Sequence, residues 1–263
     1  MIANIALLTT VANFELYQKS APLFPQDIQK YIIDGTNGMH AFESVKYMFK
    51  KLKNKNIDWL IMADEDVIFT NPIAVFDIIE HMKSNDYTVC GVRDGGMIPH
   101  RKQNPYLINT FFSIIHFSEI EKMWNENEVT KNQYIKKSEF NDDISNLMYE
   151  YNVSSIYEPY YCFYLWLRRK KKKFLFLETT VPFVDDEITN EVKDHKGNTL
   201  LYHTWYARAY GVNEKHTKRI DKIFNSLSVE SHDFIKPIIF KDSTFTFRKG
   251  IRKFIAKVVA KIK

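Results

Sequence analysis

Three consecutive acids, Asp64, Glu65 and Asp66, follow the apolar run 57–63 (IDWLIMA). Among 16 aspartates, Asp64 and Asp66 form the one pair spaced by two. In extended chain that spacing turns both carboxylates to the same side. Two carboxylates so placed suit a hard divalent cation, Mg²⁺ or Mn²⁺, which takes oxygen ligands and completes its shell with phosphate oxygens. A solvated acidic turn is the plainer alternative. A second cluster of interest is 201–210 (LYHTWYARAY). There Tyr202, Trp205, Tyr206 and Tyr210 could stack on a sugar or a base, and Arg208 could pair with phosphate. A third is Asn141-Asp142-Asp143 ahead of ISNLMYEY. Acids at a helix start remain ionised in the field of the helix dipole, and the same place suits a plain cap pair. Asp185, Asp186 and Glu187 read first as a solvated loop.

The elements that must position these groups alternate. Residues 2–10 and 30–34 read as strands, with Gly35 and Gly38 after the second. Between 40 and 54, Phe42, Val45, Met48, Phe49 and Leu52 recur at helical spacing. The run 57–63 reads as a central strand buried on both faces, Asn71-Pro72 opens a helix to about His81, and 87–92 returns as a strand. This rhythm predicts a doubly wound, mostly parallel α/β sheet flanked by helices. Farther along, 107–117 is expected as a strand or strand pair, 118–125 and 141–151 as helices, and 174–178 and 199–202 as strands. The chain divides by its pattern into a body, 1–227, and a C-terminal extension, 228–263.

The stretch 57–72, IDWLIMADEDVIFTNP, resembles the Asp-x-Asp region of glycosyltransferases of the GT-A fold. The resemblance implies a divalent metal, Mn²⁺ or Mg²⁺, held at Asp64 and Asp66 against the diphosphate of a nucleotide-sugar donor, a UDP-sugar first among them. It also implies nucleoside contacts at Thr9, Thr10 and Asp34, a diphosphate contact at Lys46, and donor contacts at Asp64, Glu65 and Arg208. His203 resembles the late histidine that completes the metal shell, a role a neutral imidazole can fill. Asn141-Asp142-Asp143 resembles the acidic motif of inverting members, with Asp143 as base and Asp142 beside it. A base must come within hydrogen-bond reach of the acceptor hydroxyl. The implied acceptor is a glycan or lipid-linked glycan, as in assembly of a bacterial surface polysaccharide or lipopolysaccharide. A sugar nucleotidyltransferase would carry a glycine-rich loop after the first strand, where this chain reads TTVANFELYQK. A non-catalytic surface adaptor with a transferase-like fold is the remaining alternative.

Charge is uneven. Residues 168–173 (RRKKKK) hold six cations and 247–263 hold seven with no acid, which leaves 24 Lys and Arg against 32 acids elsewhere. An acidic body of this kind argues against a nucleic-acid partner. In the tail, Ile251, Phe254, Ile255, Val258, Val259 and Ile262 form one helical stripe opposite Arg252, Lys253, Lys257, Lys261 and Lys263. That is the pattern of a helix lying on an anionic membrane; docking on the acidic body is the alternative. The RRKKKK run, beside the aromatic stretch 160–167, offers a second lipid contact or a solvated edge. Two distant cysteines, Cys90 and Cys162, read as free thiols. With no secretory signal pattern and no spanning segment in the sequence, the expected location is cytoplasmic, peripheral on the inner face of the membrane.

Overall fold

Alternation of side chains along the first strands sorts apolar residues onto two faces of one sheet. The computed structural model describes residues 3–227 and 235–262, with side chains through residue 255. Its elements run β1 (Ile5–Val11), α1 (Phe14–Ser20), β2 (Gln29–Asp34), α2 (Phe42–Leu52), β3 (Trp59–Ala63), β4 (Val67–Phe69), α3 (Ala74–Ser84), β5 (Tyr87–Arg93) and β6 (Ile108–His116). They continue as α4 (Phe117–Met123), α5 (Glu126–Thr130), α6 (Tyr161–Arg169), β7 (Lys173–Leu177), β8 (Thr179–Thr180), β9 (Asn190–Lys193), β10 (Thr199–His203), α7 (Glu214–Asn225), β11 (Ile238–Phe240) and α8 (Phe245–Ile262).

The main sheet has the order β11-β2-β1-β3-β6-β5-β7, with β6 antiparallel to both its neighbours and the other pairs parallel. Leu8, Ile33 and Leu60 face one side, against α2 and α6. Their neighbours Leu7, Ile32 and Ile61 face the other, against α3. A smaller antiparallel sheet, β4-β10-β9-β8, stands at its end. This is the expected α/β architecture, a mostly parallel sheet flanked by helices. The acidic triplet lies in the short passage from the main sheet (β3) to the small one (β4).

Two expectations are corrected. Residues 141–151 are not helical. Instead Tyr149 N–H donates to the Gly96 carbonyl (3.0 Å) and, just beyond the segment, Asn152 N–H to that of Gln103 (3.0 Å), so the segment is tied to a neighbouring loop in place of a helical ladder. The second concerns the RRKKKK run, expected as a second lipid contact or a solvated edge: the aromatic stretch next to it is core, with Tyr161 through Leu167 of α6 all buried. The RRKKKK run beside it is largely taken up by the body. Arg168 pairs with Asp142, Arg169 with Glu139 (2.7 Å), Lys170 with Glu128 (2.6 Å) and Lys172 with Glu119 (2.5 Å).

The expected boundary after residue 227 falls at residues 228–234, outside the described residues. Beyond it, β11 pairs in parallel with β2 and forms the edge of the main sheet, and Phe245 of α8 enters the core. Among the described residues no helix is long and apolar enough to cross a membrane.

Candidate active site

In open α/β sheets ligands bind at the carboxyl ends of the strands, and a cavity of about 640 Å³ opens there. Leu8, Thr10 and Ala12 of β1 and its following loop form one part. Met39, His40 and Ala41, before α2, form the rim. Asp64, Glu65 and Asp66 form the floor, and Trp205 through Ala209 the far wall. Its size suits a small-molecule ligand.

The triplet is held by its own backbone. Asp64 N–H donates to the Phe111 carbonyl (2.8 Å), and Val67 N–H to that of Asp64 (3.1 Å), closing a turn. The carboxylates are therefore gathered by a turn and not by extended chain. The Asp66 carbonyl accepts from Thr204 N–H (3.0 Å) and Thr204 Oγ1 (3.1 Å), which fixes the turn against the end of β10. Burial, then the negative charges of Asp66 and Glu65, hold the Asp64 carboxyl well above the usual range, with Arg208 pulling the other way. The Glu65 carboxyl is pushed up to about 7 by burial and by Asp66, against the pull of its hydrogen bonds. Three acids thus share a pocket in which Arg208 offers opposing charge, the condition that favours binding a further cation.

Glu65 has a distinct task. Its Oε1 accepts from the N–H groups of Ala12 (2.8 Å) and Asn13 (2.9 Å). Asn13 in turn caps α1 and donates through Nδ2 to the carbonyls of Ala207 (2.9 Å) and Tyr210 (2.8 Å). Floor, near wall and far wall are linked in one chain of bonds. The far wall also carries strain: Trp205 (φ 59°) and Tyr206 (φ 63°) occupy the left-handed region in succession, which is costly for bulky residues and concentrates at functional sites.

His203 is buried with its Nε2 3.4 Å from Asp66 Oδ1. Its ring stacks on Phe111 (3.9 Å) and leans on Trp205 (4.2 Å). Among the described residues its Nδ1 has no hydrogen-bond partner. A buried imidazole with an unpaired nitrogen, touching a carboxylate, fits the donor set expected for Mn²⁺. Among the described residues no three His, Cys, Asp or Glu side chains are gathered tightly enough to hold a metal ion between them. Asp64, Asp66 and His203, the set the resemblance implies, are thus not gathered into a three-ligand site; one or two carboxylates with substrate phosphates are what remain to hold an ion.

The remaining candidates divide. Thr10 and Arg208 line the cavity; Thr9 is buried in β1, its hydroxyl without a hydrogen-bond partner among the described residues. Asp34 lies outside the lining, bonded to Thr36 (N–H, 3.1 Å) and paired with Lys241 (3.3 Å). Burial would raise its carboxyl, but these partners outweigh it and leave it below the ordinary value. Lys46 is paired with Glu43 (2.9 Å) and Glu126 (3.4 Å) beside a separate, shallower depression. Asp142 is tied to Arg168, and Asp143 accepts from Ser145 N–H (2.9 Å) and Oγ (2.7 Å); neither lines the cavity. Asp186 is held by Thr189, Ile188 and Arg219. Tyr210 is held by Lys19 (2.7 Å) and Asp221 (2.8 Å). Sequence reasoning missed Asn13 and the rim residues Met39 and His40. The helix-cap position of Asn13, directly after β1, was the one signal available for them.

No family model and no curated protein matches the chain. Solved structures similar to it include a glycosyltransferase involved in glycosylation of the major capsid of PBCV-1, with 18% identity over 45% of this chain and 63% of that one, TM-score 0.32. A mannosyltransferase from Pyrobaculum calidifontis, solved with GDP-Man and Mn²⁺, shares 5% identity over 45% of this chain and 46% of that one, TM-score 0.29. A197 from STIV shares 13% over 76% and 94%, TM-score 0.36. The chain thus spans less than two thirds of the first two.

Proposed function

We propose that this protein is a metal-dependent glycosyltransferase that moves a sugar from a nucleotide-sugar donor to a glycan or lipid-linked acceptor. The observation that carries the reading is the under-neutralised triplet Asp64-Glu65-Asp66 on the floor of a cavity at the strand ends. A divalent cation bound at Asp64 or Asp66 together with the donor's phosphate oxygens would supply charge to stabilise a departing nucleoside diphosphate, with His203 beside Asp66. Arg208 adds a fixed positive charge on the same side, Trp205 and Tyr206 offer ring faces to the sugar, and Met39 with His40 covers the rim. Glu65 keeps the floor and walls in register. Inversion by an aspartate base would need Asp143 carried to the acceptor.

The bonds of Glu65 also separate this reading from nucleotidyl transfer. Such an enzyme would use free N–H groups after β1 to cradle phosphate, and here those of Ala12 and Asn13 are already taken. A thermal-shift screen of nucleotide sugars with and without Mn²⁺ tests the proposal, since a ligand of the folded state raises its stability. The expected result is a shift that needs both components. Absence of a shift with every nucleotide sugar, metal present, would sink it.

A further inference from the structure

We infer that α8 is a lipid-surface helix, lying in the interface of an anionic bilayer with Phe247, Ile251, Phe254 and Ile255 turned into the apolar layer. The sequence left two homes for the apolar stripe, the membrane or the protein's own body, and the contacts decide between them. The face that meets the body is made of Phe245, Lys249 and Arg252. Phe245 is 2% exposed, Lys249 Nζ donates to the Gly38 carbonyl (3.1 Å) and Arg252 pairs with Glu43 (3.0 and 3.3 Å). On a helix of 3.6 residues per turn, Phe247 and Phe254 fall on the opposite side. They are 72% and 69% exposed, with Ile251 (43%) and Ile255 (54%) at the edges of that side, Ile251 also lining the depression between α8 and the body. The body therefore grips the polar side and leaves the apolar side to solvent.

Charge complementarity selects the occupant. No Asp or Glu occurs from Ser243 to Lys263, whereas cations recur throughout. An apolar stripe bordered by cations alone matches an anionic headgroup layer, into which the long side chains can snorkel. The sequence continues both patterns at Val258, Val259 and Ile262 and at Lys257 and Lys261, whose side chains lie outside the described residues. The helix is fastened to the segment that rims the cavity: Lys249 and Thr246 bond the carbonyls of Gly38 and Asn37, and Asn37 Nδ2 donates to the Asp242 carbonyl (3.0 Å). Lipid docking does not depend on the transfer reading and is measured without catalysis.

The test is flotation of the full chain with phosphatidylcholine vesicles, with and without phosphatidylglycerol. Binding is expected with the anionic vesicles and should weaken as salt rises. The double variant Phe247→Glu/Phe254→Glu should lose at least about tenfold in vesicle affinity with an unchanged Tm; if its Tm falls, Phe247→Ala/Phe254→Ala replaces it. Equal flotation of variant and wild type overturns the inference, as does failure of the wild type to float. An oligomer dispersed by the variant, with no vesicle binding by either, would assign the face to a second copy and overturn it too.

Discussion

Two acidic motifs looked comparable as strings, and the fold treats them in opposite ways. Asp64-Glu65-Asp66 sits where two sheets meet, with its backbone fixed on both sides and its carboxylates crowded at one end of a cavity. Asp142-Asp143 sits on a loop where each carboxylate is already satisfied, one by Arg168 and the other by Ser145. A satisfied acid stabilises structure and has little capacity left for a ligand. An acid crowded by its own kind in a buried turn costs stability and is ready to take up a cation. Function follows the unspent charge.

Mutations can break or sharpen this contrast. The largest effect is expected at Asp66. Asp66→Ala should lower transfer by about 10³-fold, the scale of a lost metal contact, and abolish the Mn²⁺-dependent thermal shift while the apo protein keeps its Tm. Next is Glu65→Ala, which strands the Ala12 and Asn13 N–H groups and should destabilise by about 1–3 kcal/mol, seen as a fall in denaturation midpoint. Glu65→Gln, which still presents an acceptor oxygen, should recover most of that loss; if it does not, the clamp is not a hydrogen-bond device. Asp142→Asn should cost about 1–2 kcal/mol, as for a partly buried ion pair, with nucleotide binding untouched. The smallest effect is expected at Asp143. Asp143→Asn should change kcat by less than about twofold, whereas a loss of about 10²-fold or more would restore it as the base.

Much of the frame was legible because periodicity is set by local geometry. The apolar residues of α2 and the unbroken WLIMA run of β3 behave as their spacing requires. The triplet was legible as a cluster at the end of β3, but for the wrong geometric reason, since a turn rather than strand alternation gathers it. The segment 141–151 misled because amphipathic spacing is only half of what a helix needs. Asn141, Asp142, Asp143 and Ser145 carry side chains that compete for the backbone, and Asp143 does so, accepting from Ser145 N–H. Leu147 then packs over Gly96, and tertiary hydrogen bonds complete the loop. Charge alone offered both basic segments a lipid contact. Partners for RRKKKK come from Glu119, Glu128, Glu139 and Asp142, residues 26 to 53 positions distant for the bonds concerned, and no local pattern displays them.

The bonds from Asn13 to Ala207 and Tyr210 span 194 and 197 positions of chain, and β11 reaches back to β2 from still farther along. Contacts of that separation form late, because the loop they close is long. During synthesis the carboxylates leave the ribosome well before the wall that encloses them. A growing chain halted before Ala207 would hold the acidic floor without its enclosure, so the cavity is completed only by residues far along the chain from the acids.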